Sequence, residues 1–272
     1  SCIYWRKTQC LHFSRTIVIV YTFGPHAENF KVDVTDRWHG LMVKVPKGLD
    51  LEIASFTHMA GIAISALRVS NIELGDVVVV SGLGSIGNLA AQLAQLQGET
   101  VIATDISDAR IEIANKCGIK NTVNISKASL PEVIKSVGGK EKANCWIDAS
   151  GQSVVIEKSL EHIENNGKLI LLGSPRAEYR SDLTYLLRKI HLIENIHIKS
   201  ALKFLFPTLK TEFNKHSIER NSEIIMDLMN SGRLIIKPFY THKVKPQDAP
   251  AAYFGLRDKP DEYVGVVIDW FG

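Results

Sequence analysis

One hexapeptide constrains this chain more than any other feature: Gly82-Leu83-Gly84-Ser85-Ile86-Gly87, a G-x-G-x-x-G turn. Glycine is common, so the pattern alone says little; its surroundings make it specific. Val77–Ser81 runs directly into it and reads as a short strand buried on both faces. Ser85–Gln97 runs out of it with Ile86, Leu89, Ala90, Leu93 and Ala94 at helical spacing, and Gly98 ends that helix at the C′ position. Residues 100–104 form the next strand, and Asp105 stands at its end, 18 residues past Gly87. Strand, glycine turn, helix, strand and acid in this order are what a dinucleotide-binding βαβ unit requires.

The alternation continues. Ser107 caps a helix that runs to Lys116 and stops at Gly118, and a short strand follows at 121–125. Residues 130–136 are a helix with Pro131 in its first turn, 144–149 a strand, 154–163 a helix and 168–172 a strand. Residues 195–200 supply a last strand and 222–229 a closing helix. Strands and helices alternating at this pitch predict an α/β fold, a Rossmann doubly wound parallel sheet with helices on both faces. The flanks differ. Residues 17–46 read as short strands with Pro25, Gly40 and Pro46 as turn signals. Strand candidates at 239–244 and 264–270 enclose a helix after Pro246. The two flanks are expected to meet as a smaller β-rich lobe of residues 1–50 and 236–272. Residues 51–235 then hold the Rossmann domain and its lead-in helix.

Each part of the fingerprint has a mechanical role. Gly82 permits the tight turn, Gly84 lets the backbone approach a pyrophosphate, and Gly87 lets the helix pack on the strand. The N–H groups around Ser85 and Ile86, with the positive end of the helix dipole, suit a diphosphate. A carboxylate at Asp105 accepts hydrogen bonds from ribose hydroxyls and repels a 2′-phosphate, which favours NAD over NADP. Arg110, one turn into the following helix, weakens that preference because it could reach a phosphate or lean on the adenine.

Composition sets limits. With 32 Lys and Arg against 29 Asp and Glu, the net charge of +3 is too small to suggest a nucleic-acid surface. No apolar run is long enough to span a bilayer. The N-terminal run at 17–20 is shorter than a signal-peptide core and has no small-residue cleavage site after it. The expectation is a cytoplasmic protein without membrane or nucleic-acid partners. Cys2, Cys10, Cys117 and Cys145 fit no zinc spacing, so no metal site is expected.

From about Gly24 to the end, the chain resembles the medium-chain, alcohol-dehydrogenase-like oxidoreductases. The resemblance rests on the fingerprint and on Leu172-Gly173-Ser174-Pro175, with support from Gly24-Pro25-His26-Ala27-Glu28, Val45-Pro46-Lys47-Gly48-Leu49, Ala66-Leu67-Arg68-Val69, Asp148-Ala149-Ser150-Gly151, Gly167-Lys168-Leu169 and Thr241-His242. It implies a Rossmann domain set into a GroES-like β lobe. It also implies that Ala149 and Ser150 line the adenosine side and that Gly173 and Ser174 lie beside the nicotinamide. The family's G-H-E segment, catalytic cysteine and cysteine-rich zinc loop are not in this sequence, which implies a chain short of most of the N-terminal lobe. Where the family carries its third zinc ligand, this chain has Phe56-Thr57-His58. His58 has no visible partner ligands, and His26 and His242 fall in segments that the family uses structurally. Tyr179 and Tyr185 are conceivable acids that nothing in the sequence distinguishes from core aromatics, so no residue is assigned as catalytic.

The implied function is hydride transfer between NAD(H) and a small alcohol or carbonyl substrate, polyols and sugars included. The alternatives are a catalytically silent NAD-binding module or truncated family member, and a zinc-independent quinone-reductase-like enzyme, whose usual NADPH Asp105 disfavours. The strand at 195–200 is expected at the sheet edge. Leu192, Ile193, Leu202, Phe204, Leu205 and Phe206 around it point to a homodimer that covers that edge.

Overall fold

The computed structural model describes residues 18–21 as backbone and 41–270 in full. Cys2, Cys10 and the Gly24–Glu28 segment with His26 lie outside the described residues. The order is β1 (Val18–Tyr21), β2 (Leu41–Lys44), α1 (Leu51–Ala54), α2 (Thr57–Ser70), β3 (Val77–Ser81), α3 (Ser85–Gln97), β4 (Thr100–Asp105) and α4 (Asp108–Lys116). It continues with β5 (Thr122–Asn124), α5 (Leu130–Gly138), β6 (Ala143–Asp148), α6 (Ser153–Ser159), β7 (Ile163–Leu171), α7 (Leu183–Arg188) and β8 (His197–Ser200). It closes with α8 (Ile218–Asn230), β9 (His242–Val244), α9 (Ala249–Asp258) and β10 (Val266–Ile268).

The described residues divide into two compact units, one of residues 62–202 and one built from those up to 61 and those from 203 on. In the first, six strands form an all-parallel sheet in the order β5-β4-β3-β6-β7-β8. Every residue of β3 is buried, as a strand covered on both faces must be. The core gathers Val77, Val79, Ile102, Ile134, Trp146, Ile163 and Leu169, all aliphatic or aromatic positions of the sheet and its helices. Helix ends follow local chemistry. Ser107 Oγ accepts from Arg110 N at the start of α4, and Gly98 closes α3 at φ +111°, where a side chain would be strained. The sequence thus leads to the α/β doubly wound fold it predicts.

Two elements depart from the spacing-based reading. The helix expected over 154–163 ends at Ser159. His162 N turns back to Ser159 O, and His162 O then accepts from Ala143 N, so pairing with β6 begins there. Ile163 is therefore a core residue of β7, and the register of β6 on β7 shifts between Ala143 and Cys145. Apolar spacing alone cannot separate a helix end from a buried strand start.

The helix expected over 222–229 is longer, capped by Ser217 Oγ on Arg220 N. It lies in the other unit, where Ile218 and Met226 pack with Leu41, Val43, Val45 and Ala54. Phe204 and Phe206, read from the sequence as part of the apolar patch around the edge strand, pack against this same cluster. The chain enters this unit at residue 203, earlier than the sequence boundary at 236, because α8 finds its apolar partners there.

In that unit β1 and β2 pair antiparallel and β9 and β10 pair parallel, as two separate sheets. The expected strands at 239–244 and 264–270 are shorter than read, and the first starts late because Lys237–Phe239 is a 3₁₀ turn around Pro238. The segment around α1, which the sequence reading gave to the Rossmann lead-in, meets the C-terminal segment through side chains. Phe56 and Phe239 stack edge to face at 5.5 Å, and Glu52 accepts from Tyr240 Oη and Lys243 Nζ at 2.7 and 2.8 Å.

Candidate functional site

The strand order reverses between β3 and β6. The chain leaves β3 through α3 toward β4 on one side, and leaves β6 through α6 toward β7 on the other. Open parallel sheets bind ligands outside the carboxyl ends of the strands at such a switch point. Ser81 ends β3 in register with Thr104 on one side and Asp148 on the other, and Asp148 is in register with Leu171. The turns that follow Ser81, Asp148 and Leu171 therefore share one edge of the sheet.

The three fingerprint glycines differ in what they require. Gly82 has φ +88° and donates its N–H to Thr104 O at 2.8 Å, and a Cβ on it would stand 2.8 Å from Ser150 Cα. A Cβ on Gly87 would stand 1.7 Å from Gly82 O, so α3 can lie this close to the turn only without a side chain there. Gly84 is different. Its φ of −62° suits any residue, and a Cβ on it would meet nothing within 4 Å. Gly84, Ser85 and Ile86 are half-buried at the start of a 13-residue helix, and Asn88 N is the first amide to bond back, to Gly84 O at 2.9 Å. The N–H groups ahead of it have no acceptor within the helix, as in any first turn.

Asp105 ends β4, buried, with a role the sequence did not show. One carboxylate oxygen accepts from Leu83 N at 2.6 Å, inside the glycine turn. The other accepts from Ile106 N and Ser107 N at 2.7 and 2.9 Å. Arg110 Nη1 stands 3.6 Å from the oxygen that holds Leu83. The carboxylate therefore ties the glycine turn to the end of β4. With about four acceptor positions on a carboxylate, room for one more donor remains.

Asp148 joins the three turns. Its side chain is fully buried and accepts from Ser81 Oγ at 2.8 Å, Ser150 Oγ at 2.6 Å, Ser150 N at 3.3 Å and Gly151 N at 3.1 Å. Its backbone carbonyl accepts from Leu172 N and Gly173 N at 2.9 and 2.7 Å. Ala149 N donates to Ser81 O at 2.8 Å. A Cβ on Gly173 would stand 2.5 Å from Gly151 N, so the turns after β6 and β7 are in contact, with Ser174 exposed beyond them. Sequence reasoning brought Ala149, Ser150, Gly173 and Ser174 to this edge but gave Asp148 and Ser81 no part. The available signal was an acid closing the otherwise apolar strand Cys145-Trp146-Ile147.

The remaining candidates lie elsewhere. Tyr179 and Tyr185 are not core aromatics: both are exposed, Tyr179 donating to Glu157 and Tyr185 to Glu161. The Glu157 carboxylate pushes the Tyr179 phenol above its usual range, which makes it a poorer acid. His58 Nδ1 stands 3.1 Å from Lys203 Nζ, an amine whose burial pushes it down to about 8. An ammonium this close opposes a metal cation at that nitrogen. His242 stacks on Tyr263 at 3.7 Å and contacts Thr241 Oγ1. Burial pushes both the Cys117 and the Cys145 thiol up to about 12. Among the described residues no three His, Cys, Asp or Glu side chains gather as metal ligands would, and no helix is long and apolar enough to cross a membrane.

The sequence profile of the zinc-binding dehydrogenases matches residues 85–206. An L-threonine 3-dehydrogenase from Cutibacterium acnes is 33% identical over 124 residues, 45% of this chain and 36% of that protein. An uncharacterised zinc-type alcohol dehydrogenase-like protein from Haemophilus influenzae is 26% identical over 260 residues, 96% of this chain and 69% of that one. The crystal structure of 2R,3R-butanediol dehydrogenase from Bacillus subtilis superposes with a TM-score of 0.70 at 20% identity, covering 89% of this chain and 63% of that one. The chain thus spans from about a third to about two thirds of the length of these proteins. Together with the doubly wound sheet and its glycine turn, these matches make the chain similar to the medium-chain dehydrogenase/reductases of the zinc-type alcohol-dehydrogenase-like kind.

Proposed function

We propose that the chain binds NAD(H) at the switch point and serves an oxidoreductase that passes hydride between NAD(H) and a small alcohol or carbonyl compound, polyols and sugars included. Gly84 carries this reading. Backbone conformation does not require a glycine there, and among the described residues no atom lies within 4 Å of where a Cβ would be, so the space in front of it suits a ligand. The residues present fit a dinucleotide diphosphate: Gly82, Gly84, Ser85, Ile86 and Gly87 shape a helix start, whose dipole favours an anion, and a Cβ on Gly84 would meet no described atom within 4 Å.

In this reading Asp105 and Arg110 face the adenosine ribose, Ala149 and Ser150 line the adenosine side, and Gly173 and Ser174 lie beside the nicotinamide. When bound, the nicotinamide ring supplies the hydride acceptor or donor. The chain's own part is to hold the diphosphate on the α3 amides, keep a carboxylate at the ribose and fix the turns after β6 and β7. The smaller β unit corresponds to the family's GroES-like lobe, and β8 pairs two copies into a homodimer.

Asp105 predicts the cofactor. Titration of NADH and NADPH against protein fluorescence is expected to show clear preference for NADH, and equal affinities would refute the assignment. Asp105→Ala should weaken NADH more than NADPH, by roughly 1.5–3 kcal/mol for a hydrogen bond to a charged group. It should also lower the melting temperature, because Leu83 N, Ile106 N and Ser107 N lose their acceptor.

A further inference from the structure

We propose that Asp148 is a positioning residue of the crevice: it fixes the Ser150 hydroxyl hydrogen inward, so that Ser150 Oγ meets the dinucleotide as a hydrogen-bond acceptor. The inference rests on the dinucleotide reading above and deepens it. Asp148 has no exposed surface, and four donors converge on its carboxylate: two hydroxyls and two backbone N–H groups. Surrounded in this way, the carboxylate acts as acceptor only, and each hydroxyl that reaches it spends its single hydrogen there. Ser81 shows the direction independently. Its Oγ takes the Trp146 Nε1–H at 2.9 Å, and an indole N–H can only donate, so the Ser81 hydrogen points to Asp148.

Ser150 is set the same way. Its Oγ donates to Asp148 and accepts from Gln152 N at 3.2 Å, which leaves one lone pair for a ligand and no hydrogen. Ser150 is half-buried, and its Cα lies 2.8 Å from where a Gly82 Cβ would be, so the residue stands at the edge that carries the glycine turn. Groups that satisfy it are donors: a ribose hydroxyl, an adenine amino group or a carboxamide N–H. A phosphate oxygen, itself an acceptor, is not served. The same carboxylate holds Ser150 N and Gly151 N, so the orientation of the hydroxyl and the shape of the turn share one origin.

The test is a double-mutant cycle in NADH affinity, with a melting temperature recorded for every variant. Ser150→Ala removes the acceptor without touching the other bonds of Asp148, and should raise the NADH dissociation constant about three- to tenfold. Asp148→Asn places an amide where Ser150 and Gly151 also donate, and should raise it at least as much. The double variant should bind within about twofold of Asp148→Asn alone, since Ser150 contributes only while Asp148 orients it. Multiplicative losses would overturn the proposal, and so would an Asp148→Asn that melts lower but binds as the parent does. If Asp148→Asn fails to fold, Ser150→Ala decides alone, and parent-like affinity overturns the proposal. A parent that binds no NADH overturns the dinucleotide reading and this inference together. A parent that binds, with indifferent variants, overturns this inference only.

Discussion

At the amino end of β4, Glu99 is 6% exposed, and both carboxylate oxygens are buried without a well-formed hydrogen bond. Burial raises its pKa, its own backbone amide offsets part of that rise, and the nearby Asp76 charge adds to it. A carboxyl whose folded pKa is raised favours the fold while protonated. That stability is present below the unfolded value and is lost as pH rises through the folded one. Glu99→Gln should therefore raise the melting temperature at pH 8 more than at pH 4. Identical gains at both pH values would show that the charge is not the cause. Glu99 lies at the opposite end of the sheet from the glycine turn, so NADH affinity should not change.

Residues of this kind were illegible in the sequence. The fingerprint glycines were readable because a tight turn and a close helix dictate residue type. The partners of Asp105, Asp148 and Glu99 depend on which turns meet in space. Tyr179 and Tyr185 show the same limit, since the glutamates that hold them stand more than twenty positions away.

Edge strand β8, observed at His197–Ser200 within the expected 195–200, is the element that predicts most. It terminates the six-stranded sheet, and Ile198 on it remains 42% exposed. Leu192, Ile193 and Leu202, which flank it, are each more than half exposed. Unpaired backbone groups beside exposed aliphatics favour pairing with a second copy. Light scattering should report twice the mass of the 30.2 kDa chain, and Ile198→Lys should halve it without unfolding the monomer. A parent that is monomeric at micromolar concentration would refute the dimer.

Strand centres were legible because continuous Val and Ile runs have no other stable setting between two helix layers. Boundaries were not. The end of α6 and the start of β7 depend on where Ala143 finds His162 O, and the placement of α8 depends on β2, far away in sequence.

At the scale of the whole molecule, strand order turns local motifs into a site. Only because β3 and β6 lie side by side do the turns after Ser81 and Asp148 come into contact, with the turn after Leu171 beside them. The alternation of strands and helices predicted this sheet, and the handedness of βαβ connections leaves few other arrangements. Which residues form the smaller unit was only half readable, since α8 carries the spacing of any amphipathic helix.

The central claim is that the Gly84 turn is a diphosphate site, and Gly84→Asp tests it most directly. Aspartate is a good helix N-cap, and its Cβ would meet no described atom within 4 Å, so the melting temperature should hold or rise. The same side chain would bring bulk and negative charge to the place where the proposed site holds the diphosphate. The dissociation constant for NADH, measured by fluorescence titration on the parent and on Gly84→Asp at matched stability, is predicted to rise at least a hundredfold. Affinities within twofold of each other would contradict the account.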